Sequence, residues 1–288
     1  MKNSTTNQDE HLEQALVPED EQPYIVPGNW VWVRLGDVAT IIGGGTPSTN
    51  VSEYYENGDI SWITPSDLSN YESMYISYGR KNITALGLDK SSARLMPKNT
   101  VLLSSRAPIG YVVIAQNELC TNQGFKSFLP SPFFIPEYLY YYFKYINEKL
   151  ESFASGTTFL ELSSKKAALL EFPLPPLAEQ QRIVEHITSL FEKLDRAMKL
   201  AQITLDSFET RKAAILHKAF TGELTTKWRK VNGIGMESWE DTTLEQHVSR
   251  LGDGIHGTPI YNDNGNYYFI NGNNLSGFSI EIKPNTKK

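Results

Sequence analysis

Cysteine is nearly absent: Cys120 is alone in 288 residues. That excludes a disulfide framework and any cysteine-based metal cluster, and it fits a reducing compartment. Long apolar runs are missing too, so no segment reads as a membrane span and the first residues lack a signal-peptide core. The expected location is the cytoplasm, with no membrane partner. The histidines, His11, His186, His217, His247 and His256, are too scattered to form a metal site. No glycine-rich cofactor fingerprint, Walker lysine, Ser-centred elbow or Asn/Asp-Pro-Pro-aromatic motif is present. The expectation is a protein with no catalytic residues, no metal and no cofactor of its own.

An excess of positive charge is also lacking. Lys and Arg number 27 against 33 Asp and Glu, a formal net charge of −6. The imbalance sits at the start, where residues 1–23 carry six acids against Lys2 and read as a disordered acidic tail. Residues 24–176 are nearly balanced, and 179–230 hold 10 basic residues against 7 acidic. Unaided nucleic-acid binding is weakly disfavoured by this balance, because phosphate neutralisation supplies much of the affinity. Binding inside a complex whose other subunits carry the positive charge is not.

Apolar residues make up 40% of the chain and charged residues 21%, a globular composition long enough for two domains. From "PGNWVWVRLGDVATII" onward, short β-rich runs recur at 60–63, 74–78, 101–104, 111–115 and 125–129, parted by "GGGTPS", "TPSD" and "RAPIG". "TALGLDKSSARLMP" predicts a short helix stopped by Pro97. Pro136 opens a helix in which Leu139, Tyr142, Phe143, Ile146, Leu150 and Phe153 share one face. The tyrosines Tyr138, Tyr140, Tyr141, Tyr142 and Tyr145 read as core at that spacing rather than as a base-stacking platform. A last strand, "AALLEF", leads into Pro173, Pro175 and Pro176. Together these elements predict one α+β domain over 24–176, a mixed β-sheet with helices.

A long amphipathic helix is expected next, over 177–222. Ile187, Leu194, Ala201, Phe208 and Ile215 recur every seven residues, with Leu190, Ala197, Met198 and Leu205 beside them. The second seam position fades to Thr204, Arg211 and Lys218. Such a helix would run roughly 65 Å, beyond the ~30–40 Å of the domain ahead of it. It must leave that domain and find another helix, and Thr221-Gly222 ends it.

Beyond a linker over 223–238, the sequence repeats itself. "GDISWITPSDL" (58–68) aligns without gaps to "GNYYFINGNNL" (265–275), and "GTP" at 45–47 recurs at 257–259. Trp30 and Leu35 match Trp239 and Leu244, at an offset of about 208 residues. Residues 239–288 therefore read as the truncated start of a second copy of the domain.

The order of these pieces carries an identity. "PGNWVWVRLGDV", "GGGTPS", "ISWITPSDL", "NTVLLSSRAPIGYVVIA", "TNQGF" and "GTTFLELSSKKAALLEFPLPPLAEQQRIVEHI" together strongly resemble the specificity subunit of type I restriction–modification enzymes. The resemblance covers Pro27 to about Arg229 and restarts at Trp239. It implies two target recognition domains, each reading half of a split DNA site. Two long helices pack antiparallel between them as a ruler and dock methyltransferase subunits, and through that complex the restriction subunit. On this reading the prolines end the recognition domain and aim a rigid spacer. The chain departs from the family by lacking most of the second domain and the second spacer helix, so pairing would need a second copy or a separately encoded half.

The residues expected to meet double-stranded DNA lie in the connecting loops. Gly44, Gly45, Thr46 and Pro47 could bring backbone N–H groups to phosphate, or form a tight structural turn. Thr64, Ser66 and Asp67 could orient or read base edges, or make an Asx-type cap. Ser105 and Arg106 stand at a hairpin tip, where an arginine reads guanine, clamps phosphate or is simply solvated. Asn122 and Gln123 suit adenine or could brace neighbouring loops, and Lys126 suits phosphate. Thr157 and Thr158 could follow the backbone or belong to a plain connector. The residues expected to pack a partner helix are Ile187, Leu190, Leu194, Ala201, Leu205, Phe208 and Ile215. The expected function is a non-catalytic DNA-recognition and assembly subunit. A truncated decoy that binds methyltransferase without reading DNA is the alternative. A nucleotide-using enzyme built on the glycine loop would lack both its lysine and an acid/base cluster.

Overall fold

A computed structural model describes residues 12–288 apart from 107, 156–159, 238, 253–256 and 258. The chain divides into two units, Met1–Leu205 and Asp206–Lys288. Among the described residues no helix is long and apolar enough to cross a membrane. None of their side chains form a group of three His, Cys, Asp or Glu that could hold a metal ion.

The first unit is α+β. Its strands are β1 (Val31–Arg34), β2 (Ile41–Gly43), β3 (Ile60–Ile63), β4 (Tyr75–Ile76), β5 (Lys81–Ile83), β6 (Val101–Ser105), β7 (Ile109–Ala115), β8 (Cys120–Thr121), β9 (Phe125–Phe128) and β10 (Glu171–Leu174). Helices α1 (Leu35–Val38), α2 (Ala85–Asp89), α3 (Pro136–Tyr145), α4 (Asn147–Phe153), α5 (Ser164–Ala168) and α6 (Leu177–Asp206) complete it. Five strands form a sheet in the order β2-β9-β6-β7-β4, and three form a smaller one, β5-β3-β8. A third ladder pairs β1 with β10 antiparallel, Val31 opposite Leu174 and Arg34 opposite Glu171.

The large sheet is buried on both faces because its strands are apolar at odd and even positions alike. Val101, Leu103, Val112, Ile114 and Phe128 pack with Leu139, Phe143, Ile146 and Leu150 of the helical layer. Leu102, Val113, Ala115 and Phe125 pack with Ile63, Leu68, Ile76, Met96 and Leu119 on the opposite face. Every residue of β6 is buried. Burial of each such Leu, Val or Phe side chain contributes about 1.5–3 kcal/mol. Loops that leave this sheet are therefore carried by a stiff base.

Several local expectations are corrected. The acidic tail is packed from residue 12 onward: Ala15 and Val17 are buried, Val17 N–H donates to the Trp32 carbonyl (2.9 Å), and Glu21 pairs with Arg34. Glu13, Glu19, Asp20 and Glu21 face outward while Ala15 and Val17, two apart, line the free edge of β1, a spacing that net charge hides. The predicted helix after Thr84 is only five residues long. The helix from Pro136 breaks at Ile146, whose backbone (φ −89°, ψ 7°) leaves the helical region. "AALL" closes a short helix, and only Glu171–Leu174 is strand. Of the tyrosines, Tyr138 and Tyr140 are buried and Tyr142 half-buried, with the Tyr138 hydroxyl donating to the Pro173 carbonyl (2.9 Å). Tyr145 is exposed instead.

The spacer is assigned as two helices. α6 ends at Asp206, and α7 (Phe208–Phe220) follows Ser207. α6 alone has 30 residues, about 45 Å of helix. Gly222 follows α7 in the left-handed region at φ 75°. In the second unit a 3-10 turn and α8 (Thr226–Asn232) come next, then β11 (Leu275–Ser276) paired antiparallel with β12 (Ser279–Ile280).

The repeat is visible locally. Thr64 opens a 3-10 turn with a reciprocal capping box closed by Asp67, and Asn271 opens another closed by Asn274. Leu35 and Leu244 likewise each begin a short helical turn. The recurring "GTP" includes Thr258, outside the described residues.

Candidate nucleic-acid interface

The loop residues singled out by sequence come from five separate segments, and hydrogen bonds join three of them, at 44–47, 105–106 and 122–126. Gly45 N–H donates to the Thr121 carbonyl (2.9 Å), and Thr46 donates to Gln123. A Cβ at Gly44 would collide with the backbone oxygens of Thr121 and Asn122, and one at Gly45 with Ser92 and Ala93. Glycine is needed here for close approach of protein backbone, so the structural-turn reading accounts for Gly44 and Gly45. Pro47 is buried, and its carbonyl accepts from the Tyr55 hydroxyl (2.6 Å). The Trp62 indole N–H donates to the Gly45 carbonyl (2.9 Å), tying the loop to β3.

Asp67 points inward. Its Oδ2 accepts from the backbone N–H and the hydroxyl of Thr64 (both 2.7 Å), and its Oδ1 from the backbone N–H and Nε of Arg80 (both 3.0 Å). Burial alone would raise its pKa, but the hydrogen bonds from Thr64 and Arg80 outweigh it and hold the carboxyl below its ordinary value. With both oxygens engaged, Asp67 has no acceptor aimed at solvent for a cytosine amine. Ser66, beside it, is exposed.

The hairpin between β6 and β7 is shaped by Ser104, whose hydroxyl donates to Pro108 O (2.8 Å) and accepts from Tyr111 N–H (2.8 Å) across a register shift. Ser105 is fully buried and donates to the Gly124 carbonyl (3.1 Å). The Lys126 ammonium is buried as well, paired with Glu161 (3.0 Å) and donating to Ser105 Oγ (3.3 Å). Both therefore support the loops from within. Asn122 Oδ1 accepts from Gly124 N–H (2.9 Å), a local turn bond. Gln123 is exposed, and Arg106 is half-exposed, 3.9 Å from Glu161. Thr157 and Thr158 lie outside the described residues. The Cys120 thiol, pushed up to about 12 by burial, is unreactive.

The outward polar set on this surface is thus Thr46, Ser66, Gln123 and Arg106. Sequence reasoning missed three residues that organise it or its mounting. Arg80 completes the Asp67 bonds, and Glu161 neutralises Lys126; no local motif flags either. Gln180 lay inside the quoted "AEQ". It is fully buried at the start of α6, its amide donating to the Phe133 and Pro175 carbonyls (2.9 Å each) and accepting from Ile135 N–H (3.0 Å). Two backbone segments, 133–135 and the proline run ending at Pro176, are thereby fixed to the first turn of α6.

Beyond that turn α6 keeps hold of its domain through Val184, Ile183 and the contact of Tyr141 with Thr188 and Phe191. Ile187 is half-buried, whereas Leu190, Leu194, Ala201 and Leu205 are exposed. In the second unit Phe208 and Ile215 are exposed too. The apolar row on α6 itself meets the pattern of a helix that packs on another helix.

Residues 27–205 match the family model described as the type I restriction modification DNA specificity domain. The chain is 43% identical over 190 residues to the MjaIX type I restriction enzyme specificity subunit of Methanocaldococcus jannaschii, covering 64% of this chain and 44% of that protein. It is 30% identical over 188 residues to the EcoR124I/EcoR124II specificity subunit of Escherichia coli, covering 61% and 46%. The matched part spans less than half of each relative. A solved chain from a type I R-M system, described for its assembly and conformational transition, superposes with TM-score 0.55 at 25% identity, covering 76% of this chain and 52% of that one. The HsdS subunit of Thermoanaerobacter tengcongensis shares the fold, with TM-score 0.51 at 24% identity over 70% and 46%.

Proposed function

The chain belongs to the type I restriction modification DNA specificity family, and from that premise we propose that it reads one half of a bipartite DNA site and assembles the enzyme that acts there. The observation that carries this reading is that the family match, 27–205, runs through both the loop cluster and α6. Direct contacts fall to the outward polar groups Thr46, Ser66, Gln123 and Arg106, while Asp67, Ser105, Asn122 and Lys126 hold them in place. Reading base edges requires donors and acceptors fixed in direction, which a doubly buried sheet supplies. No chemistry is asked of this chain. Methyltransferase subunits supply adenine methylation, and the restriction subunit joins through them.

The apolar row on α6, with Phe208 and Ile215 beyond it, takes a second spacer helix from another copy of the chain or a separately encoded half. Gln180 and the proline segment fix the departure of α6 from its domain, so helix length translates into the number of unread base pairs.

Light scattering of the chain co-expressed with its methyltransferase subunit tests the assembly. The expected mass is two copies of each. One copy of each, or no complex, would contradict pairing between copies.

A further inference from the structure

We infer that Arg80 reads a base, held by Asp67 so that its free edge meets the O6/N7 acceptor pair of a guanine. The inference rests on the DNA-reading function proposed above. Arg80 lies just before β5, and two of its five guanidinium N–H groups are spent inside the protein. Nε donates to Asp67 Oδ1 (3.0 Å), and Nη2 donates to the Ser66 carbonyl. The other three have no partner among the described residues, and the side chain is 68% exposed. Gly79 permits this closure, since a Cβ there would stand 2.9 Å from Asp67 Oδ2 and 3.0 Å from the Trp62 carbonyl. The open side is concave: Arg80 lines a cleft of about 800 Å³ with Tyr55, Trp62, Tyr78, Lys81 and Asn82.

Two observations favour a base over a phosphate. Pairing with a carboxylate cancels much of the arginine's net charge, which is what phosphate binding uses. It leaves intact, and fixes in plane, the planar fork that guanine recognition uses. Arg80 is also not a requirement of the turn. In the repeated turn Asn274 closes the same capping box and instead donates to the Glu281 carbonyl (3.0 Å) and the Thr286 hydroxyl (2.8 Å). The cap is common to both copies, and what its closing residue holds is not.

The test is selection from a random DNA library by the full chain assembled with its methyltransferase subunits, comparing wild type, Arg80→Lys and Asp67→Asn. Wild type should select a motif containing a guanine that Arg80→Lys relaxes by roughly ten- to a hundredfold, other positions holding. Asp67→Asn removes the carboxylate charge and leaves Arg80 charged, replacing its ion pair with at most a neutral hydrogen bond that loosens the plane. It should relax the same position while the salt dependence of binding stays equal or steepens, a pattern that mere unfolding would not give. An unchanged motif in Arg80→Lys overturns the inference. So does a motif unchanged in Asp67→Asn, or affinity and salt dependence that fall in Arg80→Lys with base preference intact, the mark of a phosphate contact. If wild type selects no motif, the DNA-reading function fails, and this inference with it.

Discussion

The chain contains the same turn twice, at Thr64–Leu68 and at Asn271–Leu275, in different surroundings. Both copies close a capping box between first and fourth residues. In the first, Leu68 is 3% exposed and packs with Ile63, Met96 and Phe125; in the second, Leu275 is 63% exposed. The difference teaches which part of the motif is local. Side chain to backbone bonds three residues apart need only their own segment, so the cap forms in both copies. Burial needs packed strands, which the first copy receives from 101–128. A repeat in sequence is thus a repeat of turn chemistry first and of environment second.

Substitutions in the two copies should separate these contributions. The largest effect is expected inside the sheet of the first copy. Leu103→Ala, fully buried against the helical layer, should lower the unfolding free energy by about 2–5 kcal/mol in urea denaturation of the full chain. Next comes Gln180→Ala, which leaves two carbonyls and one N–H without their partner and should cost about 2–3 kcal/mol. Gln180→Glu would also fail to restore the two donated bonds, so a loss of similar size in that variant sharpens the assignment to hydrogen bonding over volume.

Asp67→Asn should be smaller, about 1–2 kcal/mol at neutral pH, because the amide nitrogen can no longer accept. Its pH dependence has a defined sign. The folded carboxyl lies below its ordinary value of 3.8. The stabilisation is therefore complete above that value and disappears as pH falls through the lowered one. Acid titration of both proteins should show their stabilities converging. A gap that persists in acid would mean the carboxylate's hydrogen bonds are not its source. The smallest effect belongs to the second copy, where Leu275→Ala should stay within about 0.5 kcal/mol. A loss there comparable with Leu103→Ala would erase the contrast between the copies.

The fold was legible wherever periodicity was strong. β3, β6, β7 and β9 fell on the expected runs, and the α3 face was readable from Leu139 and Phe143. Boundaries set by tertiary contacts were not. Ala15 and Val17 are covered because β1 has an open edge, a fact held in residues far along the chain. The site divided in the same way. Segments such as "TPSD" and "TNQGF" identified the loops that meet, but not which side chains face out. Asp67 turns inward because Arg80, thirteen residues later, offers it two donors, and Lys126 turns inward because Glu161 meets it. Partners this distant leave no local pattern.

The most direct measurement is the motif that the chain, assembled with its methyltransferase subunit, recovers from random DNA. Pairing of two copies through α6 and α7 predicts two inverted copies of one half-site, separated by a fixed number of unread base pairs. Recovery of no motif, or of two unrelated half-sites, would contradict it.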